Sequence, residues 1–199
     1  MAAKPTRATY IVTAITMIAA LASPGLALAH SDASHTHSLM NGLLHPLTGI
    51  DHLITLLAIG LWASMQAHRK QLAIPMNFIA VMGVSAVLAM TGIAIPLIET
   101  GILLGLIIIS LLLVANKKST LTLSIAIASS IAIFHGSAHG VEWQGTFALL
   151  YCIGFLSSTT LLMGSAYCFG KYYLQNNHSS GFRYAGLFAA ATSAYALLA

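Results

Sequence analysis

The stretch that decides the fold is residues 43–67, LLHPLTGIDHLITLLAIGLWASMQA. From Leu53 to Ala63 it carries one hydroxyl, Thr55, and no charge. The whole run exceeds the roughly 20 residues an α-helix needs to cross the hydrocarbon core of a bilayer. Its beginning, however, holds His45, Asp51 and His52, and ionisable groups in lipid are costly unless they face a partner, the bundle interior or water. The run reads as a membrane helix with an expensive polar end.

Working outward, comparable apolar stretches fall at about 72–95, 97–115, 119–137, 145–169 and 182–198, making six. The breaks carry the expected punctuation: His68-Arg69-Lys70, Pro96, Asn116-Lys117-Lys118, Gly140, and Gln175-Asn176-Asn177-His178. Composition agrees, with 58% hydrophobic residues, 6% charged residues and a mean hydropathy of +0.87. Soluble domains carry about 25% charged residues, so a soluble globular enzyme is excluded, and so is disorder, which needs low hydrophobicity and high charge. The expected fold is all-α: a polytopic membrane protein whose six transmembrane helices, over residues 43–199, form one bundle of antiparallel neighbours joined by short loops.

Residues 1–29 read as a cleaved secretory signal peptide. Lys4 and Arg7 precede an apolar run over about 8–22, and Ala27-Leu28-Ala29 has the small-x-small form of a cleavage site. Cleavage there makes His30 the first mature residue and leaves residues 30–42 as an extracytoplasmic segment containing His30, His35 and His37. The remaining basic residues set the topology. Arg69 and Lys70, Lys117 and Lys118, and Lys171 with Arg183 flank the first, third and fifth connections, while the other connections and the C-terminus have no Lys or Arg. By the positive-inside rule those three loops are cytoplasmic, and both mature termini lie outside the cytoplasmic membrane. Eight scattered Lys and Arg are topology signals and make no nucleic-acid patch. Cys152 and Cys168 lie in apolar sequence and form no CxxC motif. The Gly101-x3-Gly105 pair reads as packing within the bundle.

Nine His against twelve Asp, Glu, Lys and Arg is a high ratio for such a chain. They concentrate in two places. The first is His45-Pro46-Leu47-Thr48-Gly49-Ile50-Asp51-His52. A helix starting at Pro46, which suits a first turn, would stack His45, Gly49 and His52 on one face. The second is His135-Gly136-Ser137-Ala138-His139-Gly140-Val141-Glu142, with His135, His139 and Glu142 at i, i+4 and i+7. The topology puts both clusters in the outer half of the membrane. Four imidazoles with carboxylates make an N/O donor set for divalent first-row metals, and the lack of thiolates argues against Cu(I). Asp51 would offset part of the ion's charge or orient an imidazole.

His45-Pro46-Leu47-x-Gly49-x-Asp51-His52, followed by Leu56-Leu57-Ala58-Ile59-Gly60-Leu61-Trp62-Ala63, resembles the first-helix signature of the HupE/UreJ family. Phe134-His135-Gly136-x-Ala138-His139-Gly140-x-Glu142 is similar to its second signature, although Trp143-Gln144 stands where the family often has a proline. The resemblance implies a secondary permease for nickel, in some members cobalt, serving hydrogenase or urease maturation. It also implies metal-recognition roles for His30, His45, Asp51, His52, His135, His139 and Glu142. The metal is then cargo, with no permanently bound cofactor, and the partners are the bilayer, the divalent ion and a cytoplasmic metallochaperone.

On this reading an external tail of His30, His35 and His37, aided by Glu99, concentrates the ion, and the intramembrane ligands then take it up. The sequence has no Gly-x4-Gly-Lys-Ser/Thr phosphate loop, so uptake is driven by potential or a coupled gradient. Because ligands must be deprotonated, affinity falls as pH drops through the imidazole range. Two rivals use the same residues: an intramembrane zinc-dependent hydrolase, which lacks an HExxH motif here, and a b-type haem carrier, which gives the carboxylates no role.

Overall fold

The computed structural model describes residues 34–67, 69–143, 147–175 and 180–198, with side chains left aside at 34–37, 175, 180 and 196–198. The signal segment, His30, His68 and His178 lie outside these residues, as do the side chains of His35 and His37. Among the described residues the chain is entirely helical: α1 (Ser34–Thr48), α2 (Ile50–Met65), α3 (Ala73–Met90), α4 (Ile98–Val114), α5 (Leu121–Glu142), α6 (Ala148–Gln175) and α7 (Ser180–Leu198).

The opening of the bundle differs from the expectation. Pro46 does not start a helix but lies in the last turn of α1, where it has no N–H for the carbonyl four residues back. Gly49 follows in extended conformation, φ −90° and ψ 113°, and the chain bends by 79° into α2. The apolar run over 43–67 is therefore two helices, and α1 reaches back to Ser34, past the boundary placed at residue 43. His45 and His52 consequently belong to different helices and share no helical face.

Helix ends are closed by local chemistry. Thr120 caps α5 by accepting the Leu123 N–H. At the end of α3, Gly92 has φ +91°, which lets its N–H reach Ala89 O and the Ile93 N–H reach Leu88 O. Asn116, φ +50°, does the same for α4, with bonds from Asn116 and Lys117 to Leu113 and Leu112. These bonds satisfy the last carbonyls where each helix hands over to a short connection.

Three helices, α3, α5 and α6, are long and apolar enough to cross a membrane, and the bent α1–α2 pair supplies a fourth span if counted as one. The two other expected spans coincide with α4, whose 17 residues cover about 26 Å of a core about 30 Å thick, and with the less apolar α7. Close packing joins α3 to α5, α1 and α2 to α6, and α4 to α7. Glycines permit it: a Cβ on Gly42 would strike Tyr151 O, and one on Gly154 would strike Leu39 O, so α1 and α6 cross at backbone distance. Gly101 and Gly105 abut Phe134 and Ile131 of α5, which makes that pair an intramolecular contact. Trp62, Phe78, Leu106, Phe155 and Met163 fill the interior, while Met76, Leu149, Leu161 and Leu187 point outward. An outward face of this kind, on helices this apolar, belongs to a membrane protein.

Candidate metal centre

The helical repeat puts His135 and His139 one turn apart on α5, and both are fully buried. His52, in the first turn of α2, is also buried, and His45 reaches in from the last turn of α1. Because the chain bends at Gly49, these four rings meet. Ring centres lie 4.7 Å apart for His45 and His139, 5.5 Å for His139 and His52, 4.8 Å for His52 and His135, and 6.3 Å for His45 and His52.

The order runs from wet to dry. At the rim Glu142 Oε2 stands 2.7 Å from His45 Nε2, with the two side chains 43% and 25% exposed. α5 runs unbroken through Gly140 to Glu142, so His135, His139 and Glu142 are joined on one helix as the sequence indicates, and Trp143 follows as an extended cap. Gly140 sits against Ala86 O, where a side chain would not fit, so its role is close packing on α3 and not a helix break. Further in, Asp51 Oδ1 contacts His52 Nδ1 at 3.2 Å. At the bottom His135 Nδ1 lies 3.1 Å from Ile131 O; only N–H can donate there, which leaves its Nε2 as a free acceptor.

That acceptor has no partner, and it is not alone. His52 Nε2, His135 Nε2 and both ring nitrogens of His139 are buried without a hydrogen bond. A buried polar group left unmatched costs about 1–3 kcal/mol, and three neighbouring imidazoles here bear that cost together. With a metal–nitrogen bond of about 2.1 Å, two imidazoles on one ion have ring centres about 4.6 Å apart at right angles and about 5.3 Å at the tetrahedral angle. Three of the four separations fall close to that range. The rings nevertheless meet edge to face, and among the described residues no set of three or more His, Cys, Asp or Glu is already disposed to hold a metal ion. The rings thus lie at centre-to-centre distances compatible with shared coordination, while as placed they pack on one another and form no coordination set.

Sequence reasoning did not find the wall opposite α5. Phe155 of α6 lies flat on His139, centres 4.6 Å apart at 7°, and Tyr151 stands 5.9 Å from His45. Tyr151 and Phe155 recur at a spacing of four, as packing residues also do, so the sequence offers no signal that sets them apart. Glu99, at the start of α4, is exposed and outside the cluster.

The family described as HupE / UreJ protein matches residues 18–196. Protein HupE of Rhizobium leguminosarum bv. viciae is 36% identical over 148 residues, which is 74% of this chain and 77% of that protein. No solved structure matches. With a family match over nearly the whole chain, and with both histidine motifs converging at one place, the protein belongs to the HupE/UreJ family.

Proposed function

We propose that this protein is a secondary permease importing a divalent transition metal across the cytoplasmic membrane, with nickel as cargo and cobalt as the alternative, for the maturation of an enzyme such as hydrogenase or urease. The observation that carries the reading is the group of buried, unpartnered ring nitrogens on His52, His135 and His139. Neutral imidazole nitrogens without hydrogen bonds are the ligands that a borderline cation seeks.

Entry begins at the rim, where Glu142 and His45 meet the ion while it still holds water; in the mature protein His30 assists from the external segment. The ion then exchanges water for His139, His52 and His135, with Asp51 beside His52. Two carboxylates, Asp51 and Glu142, balance the two charges of the cargo, which lowers the penalty of carrying it through lipid. Release is into the cytoplasm, to a metallochaperone. An inside-negative potential favours entry of a divalent ion by about 4.6 kcal/mol per 100 mV, at about 2.3 kcal/mol per charge. In the topology proposed here six spans follow a cleaved signal peptide and both mature termini are external. The metal is substrate and not a resident cofactor.

Radioactive nickel uptake tests the reading. His52→Ala and His139→Ala each remove an imidazole with an orphaned nitrogen, and each is expected to abolish saturable uptake while the protein remains in the membrane. Wild-type uptake in both variants would overturn it.

A further inference from the structure

α6 carries a third inward residue on the stripe begun by Tyr151 and Phe155: Thr159, fully buried, with its Oγ1 lacking any hydrogen-bond partner. Several hydroxyls inside the helices turn back on their own backbone instead: Thr55 to Asp51 O, Ser110 to Leu106 O, Thr160 to Leu156 O and Ser193 to Ala189 O, all at 2.6–2.9 Å. The same rotation would give Thr159 the carbonyl of Phe155, and Thr159 does not take it. Its hydroxyl bonds neither that carbonyl nor the one at Leu156.

The neighbouring contacts fix its depth. α5 ends and α6 begins on the same side of the cluster, so the two run in opposite directions. Tyr151 is level with His45, which touches Glu142, and Phe155 is level with His139. One further turn, about 6 Å along each helix, carries α5 back to His135 and α6 forward to Thr159. The last orphaned imidazole nitrogen of the cluster and an orphaned hydroxyl therefore stand at the same level, on opposing helices.

We propose that Thr159 is an ion-binding residue, the oxygen donor to which the cation passes after leaving the imidazoles, so that the inner end of the path is a mixed nitrogen and oxygen site. The proposal rests on the permease reading above. An imidazole set alone would hold the ion; a weaker neutral oxygen beyond it supplies the step by which the ion leaves. An uncharged oxygen is a hard donor, weaker than imidazole for nickel or cobalt and unsuited to a soft monovalent ion.

The test uses the full-length protein in liposomes, with radioactive nickel as the probe. Thr159→Val keeps the shape and removes the hydroxyl; Thr159→Ser keeps the hydroxyl. Were Thr159 a packing residue, valine would be neutral or stabilising, because it relieves an unmatched polar group. The expected result is an uptake rate lowered about tenfold in Thr159→Val, equivalent to about 1.4 kcal/mol, with thermal stability maintained. Thr159→Ser is expected to recover most of the rate. Wild-type uptake by Thr159→Val overturns the inference and leaves the permease reading standing, and a fall in rate matched by a fall in stability also overturns it. Absence of nickel uptake by folded wild-type protein overturns both.

Discussion

Gly49 is the residue on which the geometry of the site turns. Its backbone, φ −90° and ψ 113°, is open to any amino acid, so conformational freedom is not the reason for a glycine. A Cβ there would lie 3.1 Å from both Asp51 Oδ1 and His52 Nδ1, closer than a methyl group sits comfortably. Gly49→Ala is therefore expected to fold normally yet displace the Asp51–His52 pair, weakening nickel binding about three- to tenfold, or about 0.7–1.4 kcal/mol. Calorimetric titration of the purified variant checks this, and unchanged affinity would separate that pair from the ion. At the same scale, His135 and His139 were legible in the sequence because helical spacing is a local property. Thr159 was not, since a threonine on an apolar helix face looks like any other packing residue until its burial without a hydrogen-bond partner is seen.

The bent pair α1–α2 shows where element-scale reading stops. Sequence spacing brings His45 and His52 together on one continuous helix; the structure brings them together by a 79° bend between two. The juxtaposition was legible and its cause was not, because the tolerance of lipid-embedded chain for a Pro46–Gly49 break depends on what α6 does beside it. α1 is held there by mutual glycine contact, with Gly154 against Leu39 O and Leu43 N. Gly154→Leu is expected to cost about 1–3 kcal/mol through overpacking, read as a lowered thermal midpoint in detergent. It should also reduce nickel affinity, since α1 carries His45 while the α5 imidazoles remain in place. A destabilised variant with wild-type affinity would show that His45 is dispensable for binding.

For the whole molecule, composition was enough to give the class, an all-helical membrane protein, because a chain with 6% charged residues cannot cover itself in water. The number of spans was less accessible: α4 is a turn short and the first span is broken, features that length and apolarity blur. Orientation is testable directly. In a Cys152→Ser, Cys168→Ser background, Lys117→Cys is expected to react with a membrane-impermeant maleimide only after the cells are permeabilised, and Glu99→Cys in intact cells; the reverse pattern would invert the topology. One feature of the first span reaches beyond either experiment. Pro46 withholds an N–H from the carbonyl of Gly42, and the interruption at Gly49 leaves the last carbonyls of α1 without amides a turn ahead, His45 O being met instead by the Thr48 hydroxyl. Exposed main-chain oxygen is intolerable in hydrocarbon unless something solvates it. The break therefore makes the outer end of this span a place where main-chain oxygen needs a partner other than its own helix's amides, a side-chain hydroxyl as at His45 O or a polar cargo, which a straight span would not require.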